Sequence, residues 1–255
     1  MHPYIGITDF TSFEQVEKMF RAFNLYLPKG SNRKLHVGVM MSYKTFHGIP
    51  SKWQNIFPPK EALSGIFASD QTYNCLHYAD YDDKTDFRIL SQAIFYSDAH
   101  LHALQLDMVL PDPGMIASGV HTSRRHVEVI LQIGKNAIEQ AGNDPQAVVE
   151  KLADYDGVIH RVLLDKSMGK GLGMDAQSLL PFARAIRQNF PKLGIGAAGG
   201  LGPKTMDLVK PLLREFPDLS IDAQGKLRPS GNAMDPIDWD MAETYLARAL
   251  EMFNR

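Results

Sequence analysis

Three aspartates stand at the ends of short apolar runs, where their carboxyls could exchange protons with a substrate. Asp9 follows Y-I-G-I-T, Asp107 closes A-L-Q-L-D and Asp165 closes R-V-L-L-D. Two carboxylates can divide the work of general acid and general base when burial or proximity separates their pKa values. Asp165 and Asp107 are the leading candidates for these two roles, with Asp9 as a third. Gln105 lies two residues before Asp107 and shares its strand face, so it should reach the same space. Each aspartate also has a plainer available role, as the N-cap of the helix that follows.

A second kind of chemistry is written into Gly194–Lys226. Here G-I-G-A-A-G-G-L-G-P is followed, after a helix-like run, by L-S-I-D-A-Q-G-K. Gly199, Gly200 and Gly202 allow main-chain N–H groups to crowd around one anion. Pro203 stands where a first helical residue would. Two strand-then-glycine turns near the end of a chain of this size suggest the phosphate site after strands 7 and 8 of a (β/α)₈ barrel. Backbone at Gly199, Gly200, Gln224 and Gly225 would hold the phosphate. Lys44 and Lys170 could neutralise it, although a solvated loop lysine is an equal reading of Lys170.

The elements needed to place these residues can be followed along the chain. Strands are expected at Tyr4–Ile7, Leu35–Met41, Tyr73–Ala79, Ala103–Val109, Val127–Ile133, Gly157–Leu164, Ile195–Ala198 and Leu219–Ala223. Phe13, Val16, Phe20, Phe23 and Leu27 recur at helical spacing behind a Ser12/Gln15 capping box. Further helices are expected over 87–99, 145–155, 175–189, 203–216 and 238–253, with Pro181 marking a start or a kink and Pro211 an interruption. The segment 42–70 is irregular except for Lys60–Phe67, and would lie over the active face as a long loop. The stretch between the fourth and fifth strands is undecided. Eight strands with mostly helical crossovers predict an α/β fold, one TIM-barrel domain over residues 1–255 with a long loop after strand 2. An open doubly wound sheet would carry its glycine fingerprint after the first strand, which has only Gly6.

Bulk properties narrow the partners. With 255 residues, 44% apolar, 22% charged and a net charge of −2, the chain gives no reason to expect a nucleic-acid or membrane partner. It has one cysteine, Cys75, which excludes an intrachain disulfide and fits a reducing compartment. No signal peptide or membrane span is seen, so a cytoplasmic location is expected. Cys75 reads as a packing residue, and His36 and His77 as interior histidines. His100 with His102, and His121 with His126, lack persuasive ligand spacing, so neither metal nor cofactor is expected. The expected partner is a small phosphorylated metabolite, with a homo-oligomer possible.

Taken in order, these strand ends resemble phosphoribosylanthranilate isomerase, a ribulose-phosphate-binding barrel. I-G-I-T-D at 5–9 is similar to the family's C-G-I-T opening and L-Q-L-D at 104–107 to its V-Q-L-H strand. V-L-L-D at 162–165, G-K-G-L-G-M-D at 169–175, A-G-G-L at 198–201, I-D-A-Q-G at 221–225 and G-N-A-M-D at 231–235 resemble later family segments. The resemblance implies an isomerase that opens a phosphoribosyl ring and moves a proton from C2, with Asp165 in the general-acid position. It also marks departures: the catalytic cysteine position is Ile5, and the strand-four histidine is Asp107. The basic residue after strand 2 has no arginine counterpart, only Lys44, which lacks the bidentate geometry. A lyase of the same superfamily, or a barrel that binds a phosphorylated ligand without the family reaction, is the alternative.

Overall fold

The computed structural model describes residues 2–54, 56–165 and 174–254. Eight parallel strands hydrogen-bond in sequence order and close on themselves, with β1 pairing β8 through Ile5↔Ile221, Gly6↔Asp222 and Ile7↔Ala223. The fold is therefore the expected TIM barrel. In chain order the elements are β1 Tyr4–Thr8, α1 Phe13–Tyr26, β2 Lys34–Ser42, α2 Tyr43–Phe46, α3 Leu63–Ile66, β3 Tyr73–Ala79, α4 Phe87–Tyr96 and β4 Ala103–Asp107. Then come α5 Pro113–Ser123, β5 Glu128–Gly134, α6 Lys135–Gln140, α7 Pro145–Ala153, β6 Arg161–Asp165, α8 Ala176–Asn189, β7 Gly194–Ala197, α9 Lys210–Glu215, β8 Ser220–Ala223 and α10 Trp239–Phe253. No helix among the described residues is long and apolar enough to cross a membrane.

Alternation along each strand divides the apolar residues into two sets. Ile5, Ile7, Val37, Val39, Leu76, Leu104, Leu106, Leu131, Val162 and Ile221 face outward and pack with the helices in the main core. Tyr4, Cys75, Ala103, Ile130, Leu163 and Ala198 form a separate, smaller cluster inside the barrel. At its N-terminal end the barrel is plugged by Arg161. This residue donates to Glu128 (3.1 Å) and to the His2 carbonyl (2.6 Å), and lies over the rings of Tyr4 and Tyr73. A closed lower end is a stability feature, and leaves the C-terminal end for function.

Several expected boundaries move for physical reasons. β6 begins at Arg161, because Gly157 takes a φ of 74° and a turn occupies the preceding residues. β4 ends at Asp107 rather than Val109. The undecided stretch is α5, started by Pro113 in its first turn and capped by Asp112. Pro181 marks neither end of α8, which starts at Ala176 under an Asp175 cap; the proline sits inside a helix whose buried Leu179, Leu180, Phe182, Ala183 and Ile186 hold it to the core. Pro203 does not open a helix. It lies in a turn, a 3₁₀ segment follows at Met206–Val209, and Pro211 takes the first-turn position of α9.

Candidate active site

The C-terminal mouth opens into a cavity of about 590 Å³. Thr8, His77, Gln105, Asp107, Gln132, Asp165, Asp222 and Gln224 line it from the strand ends, and Gly199, Gly200 and Gly225 from the last two loops. The segment after β2 leans over this mouth as expected, contributing Tyr43, Lys44, Ser51, Trp53 and Phe57. Trp53 and Phe57 stack with ring centroids 5.1 Å apart, which stiffens that wall.

Helix capping falls to other aspartates: Asp86, Asp112, Asp144, Asp175 and Asp238 accept from the first-turn N–H groups of α4, α5, α7, α8 and α10. Asp107, Asp165 and Asp222 are thus not spent on caps. They line the cavity instead.

Their electrostatics are uneven. Burial, reinforced by the charge of Asp165, pushes the Asp107 carboxyl up to about 6, while the Tyr81 hydroxyl hydrogen-bonded to it works the other way. Asp222 is pushed up to about 7, mainly by burial; the Thr8 hydroxyl donating to Oδ2 at 2.8 Å opposes this, and the charges of Asp9 and Asp165 add to it. Burial lowers His77 to about 3, and burial with His77 as neighbour holds His36 well below the usual range, so both rings are neutral. Gln105 Nε2 donates to Gln132 Oε1 at 3.0 Å and lies 3.3 Å from His77 Nδ1, bridging this polar wall to β5. Tyr81 was not anticipated from sequence. It sits in the acidic turn after β3, where an aromatic among aspartates is the one available signal.

The glycine loops form the facing wall. Gly199 and Gly200 have φ of 108° and 67°, conformations that need glycine. Among the described residues neither N–H is spent on another group, and the turn is closed from behind by the Thr205 hydroxyl donating to the Gly200 carbonyl at 2.7 Å. A Cβ on Gly202 would come within 2.6 Å of the Lys226 carbonyl oxygen, so that glycine lets the loops after β7 and β8 press together. Lys44 lines the cavity and ion-pairs with Asp82 at 3.1 Å.

One of the sequence candidates lies elsewhere. Asp9 does not line the cavity: it is buried, with φ 90°, and takes Arg228 Nη2 at 2.7 Å and Gln224 Nε2 at 3.0 Å on Oδ2. Arg228 also donates to the Gln224 carbonyl at 2.9 Å, so the pair fastens the β8 loop to β1. Lys170 lies outside the described residues. Ile5, at the family's cysteine position, belongs to the outer core between barrel and helices. No side chain at that position would reach the cavity. Among the described residues one group of possible metal ligands comes together, His36, Cys75 and His77, inside the barrel.

No protein-family model and no curated protein sequence matches the chain. Solved structures do resemble it in fold. The N-terminal domain of a provisionally named aldolase from Bacteroides vulgatus superposes with a TM-score of 0.57 at 14% identity, over 99% of this chain and 86% of that one. KGPDC from Streptococcus mutans gives 0.54 at 8% identity, over 99% of both chains. A provisionally named isomerase from Sinorhizobium meliloti gives 0.51 at 7% identity over 90% of this chain; as this covers 52% of that chain, the protein spans about half its length. At such identities the likeness is one of fold, and the chain is an eight-stranded α/β barrel of the architecture these enzymes share.

Proposed function

We propose that the cavity is the active site of an isomerase acting on a phosphorylated, sugar-like metabolite, by acid/base catalysis between Asp107 and Asp165. The observation that carries this reading is the pairing of two acids with two glycine turns around one cavity. Asp107 and Asp165 approach it from β4 and β6, and Asp165 raises the pKa of Asp107. Such coupling separates the titrations of two like groups, so that one can be ionised while the other is protonated. Asp107, titrating at about 6, is ionised at neutral pH and is assigned as base. Asp165 is assigned as acid from its place in the resemblance; its charge is what helps raise Asp107, so it takes up its proton only with substrate bound. Tyr81 holds the Asp107 carboxylate in place through its hydroxyl.

The phosphate rests on the N–H groups around Gly200 and Gly225, with Lys44 lining the same cavity from the segment after β2. This anchoring needs no net positive charge on the chain, consistent with −2 overall. The family base at the end of strand 1 has no counterpart, since Ile5 faces the helices; Asp107 replaces it from strand 4. Turnover of phosphoribosylanthranilate tests the narrow form of the proposal. Thermal shift with a panel of sugar phosphates tests the anchor, because a ligand that binds the native state raises apparent stability. Stabilisation without turnover of any member would favour a barrel that binds a phosphorylated ligand without the reaction. No stabilisation by any saturating member would sink both readings.

A further inference from the structure

We propose that His36, Cys75 and His77 form a zinc site inside the barrel, directly beneath the floor of the cavity. One ligand atom from each of the three side chains lies within 4.8 Å of the others. The two imidazole Nε2 atoms are 3.3 Å apart. With Zn–N bonds of about 2.0–2.1 Å, tetrahedral geometry sets two nitrogen ligands at roughly this separation. All three residues are buried, and they come from two neighbouring strands in the inward-facing positions: Gly38 pairs Cys75 and Met40 pairs His77, with His36 one inward step below Gly38.

The surroundings also match a metal centre. A ligating histidine ordinarily donates its other N–H to a carboxylate or similar acceptor, which fixes tautomer and ring orientation. Asp222 is the carboxylate nearest to both rings, facing His36 directly and His77 through Thr8, without a hydrogen bond to His36 in this structure. Its Oδ1 is 3.8 Å from His36 Nδ1, while its Oδ2 accepts from Thr8 Oγ1, itself 3.4 Å from His77 Nδ1. Each imidazole therefore turns its Nδ1 side toward this carboxylate and its Nε2 toward the other ring. Without a metal, a proton on one Nε2 would join the two rings. That arrangement leaves His36 Nδ1, Asp222 Oδ1 and Gln105 Oε1 buried without hydrogen-bond partners among the described residues, which is unfavourable.

Room and charge are both provided. A Cβ on Gly6 would lie 2.5 Å from Asp222 Oδ1 and 2.7 Å from His36 Nδ1; one on Gly38 would lie 3.0 Å from His77 Nε2. Glycine at these two inward positions keeps the space around the rings open. A divalent ion with the Cys75 thiolate as ligand and Asp222 beside it would be charge-balanced in a low-dielectric interior. The donor set, one thiolate and two imidazoles, selects a borderline-soft ion such as zinc over magnesium or calcium. Entry is from above, since Thr8, His77 and Asp222 line the cavity. Three protein ligands leave a fourth position for water or for a substrate oxygen.

Cobalt(II) gives the sharpest test, because Cys75 is the only cysteine and a thiolate-to-cobalt charge-transfer band can arise from no other residue. The protein, stripped with chelator, is titrated with Co²⁺ and then with Zn²⁺. One equivalent should bind with that band, and zinc should displace it. Cys75→Ser should abolish the band and weaken zinc binding by about 100-fold or more, and Thr8→Val, a positioning change, by roughly 10–100-fold. Absence of the band in the wild-type protein overturns the site, as does stoichiometric zinc binding that Cys75→Ser leaves unchanged. The wild-type spectrum decides even if the variants fail to fold. The outcome is independent of the isomerase reading, which uses neither histidine nor the thiol.

Discussion

Strands β1 and β6 both deliver an aspartate to the mouth of the barrel, and the two carboxylates meet opposite surroundings. Asp165, following Leu164, lines the cavity with Asp107 and stands beside the glycine loop that follows β7. Asp9, following Thr8, is drawn sideways by Arg228, a residue more than two hundred positions away, and its backbone is held at a φ of 90° to make that contact. In the proposed reading the same residue type is chemical equipment in one case and a fastener in the other. If this contrast is sound, removing either charge should damage a different property of the protein.

The largest effect is expected at Asp165. Asp165→Asn keeps shape and removes the proton, so turnover should fall roughly 10²–10⁴-fold, while stabilisation by a bound sugar phosphate stays near the wild-type value. Steady-state kinetics alongside thermal shift reads both quantities. Wild-type turnover in the variant would end the assignment of Asp165 as acid. Asp9→Asn should do the reverse. Breaking one partner out of a buried pair costs about 3–5 kcal/mol, because Arg228 is left with a buried, uncompensated charge. Chemical denaturation measures the loss; an Asp9 variant of native stability and low turnover would return Asp9 to the catalytic set and erase the contrast.

The eight strands and the cavity-facing positions of Asp107, Asp165, Gln105 and the paired glycines follow from local signals: apolar runs, period-two alternation and turn residues. Those signals are short-range, and a parallel barrel turns them into a mouth by its symmetry alone. The Asp9–Arg228 pair is not local, and no pattern near Asp9 announces it. The His36–Cys75–His77 group was hidden for a related reason. Cys75 and His77 are visibly two apart on one strand, but His36 joins them only through the β2–β3 register. Tyr81 shows a third kind of gap, a loop side chain whose direction depends on the turn held by Asp80, which accepts from the N–H groups of Asp82, Lys84 and Thr85.

Titration sharpens the comparison within the cavity. The folded pKa of Asp107 is about 6 against 3.8 for a free aspartate. Between those values the folded chain holds more protons than the unfolded one, so this group's contribution to stability is fully present below pH 4. It is lost as pH rises through 6, by an amount on the order of 2–3 kcal/mol. Asp107→Asn should flatten that part of the stability profile relative to wild type. The ionised form is the base, so kcat/KM should climb with pH through an apparent pKa of about 6. Tyr81→Phe removes the hydrogen bond that lowers this pKa and should move the acidic limb to higher pH. An unmoved limb would detach Tyr81 from the catalytic carboxylate.

The smallest effect is expected at the glycine wall, and it separates anchoring from simple turn geometry. Gly200 holds a φ of 67°, where an alanine costs about 1–2 kcal/mol. Gly200→Ala should therefore lower stability slightly whatever the loop does. If the N–H groups there hold a phosphate, the added methyl and the shifted backbone should also weaken sugar-phosphate binding, seen as a smaller thermal shift on addition of ligand than the wild-type protein shows. Gly157→Ala is the control, because it carries a comparable φ of 74° in the turn before β6, and does not line the cavity. Its stability should drop by a similar amount with the ligand-induced shift intact. Equal ligand shifts in the two variants would reduce Gly199–Gly200 to a tight connection between β7 and the following 3₁₀ turn, and would leave the phosphate without its strongest seat.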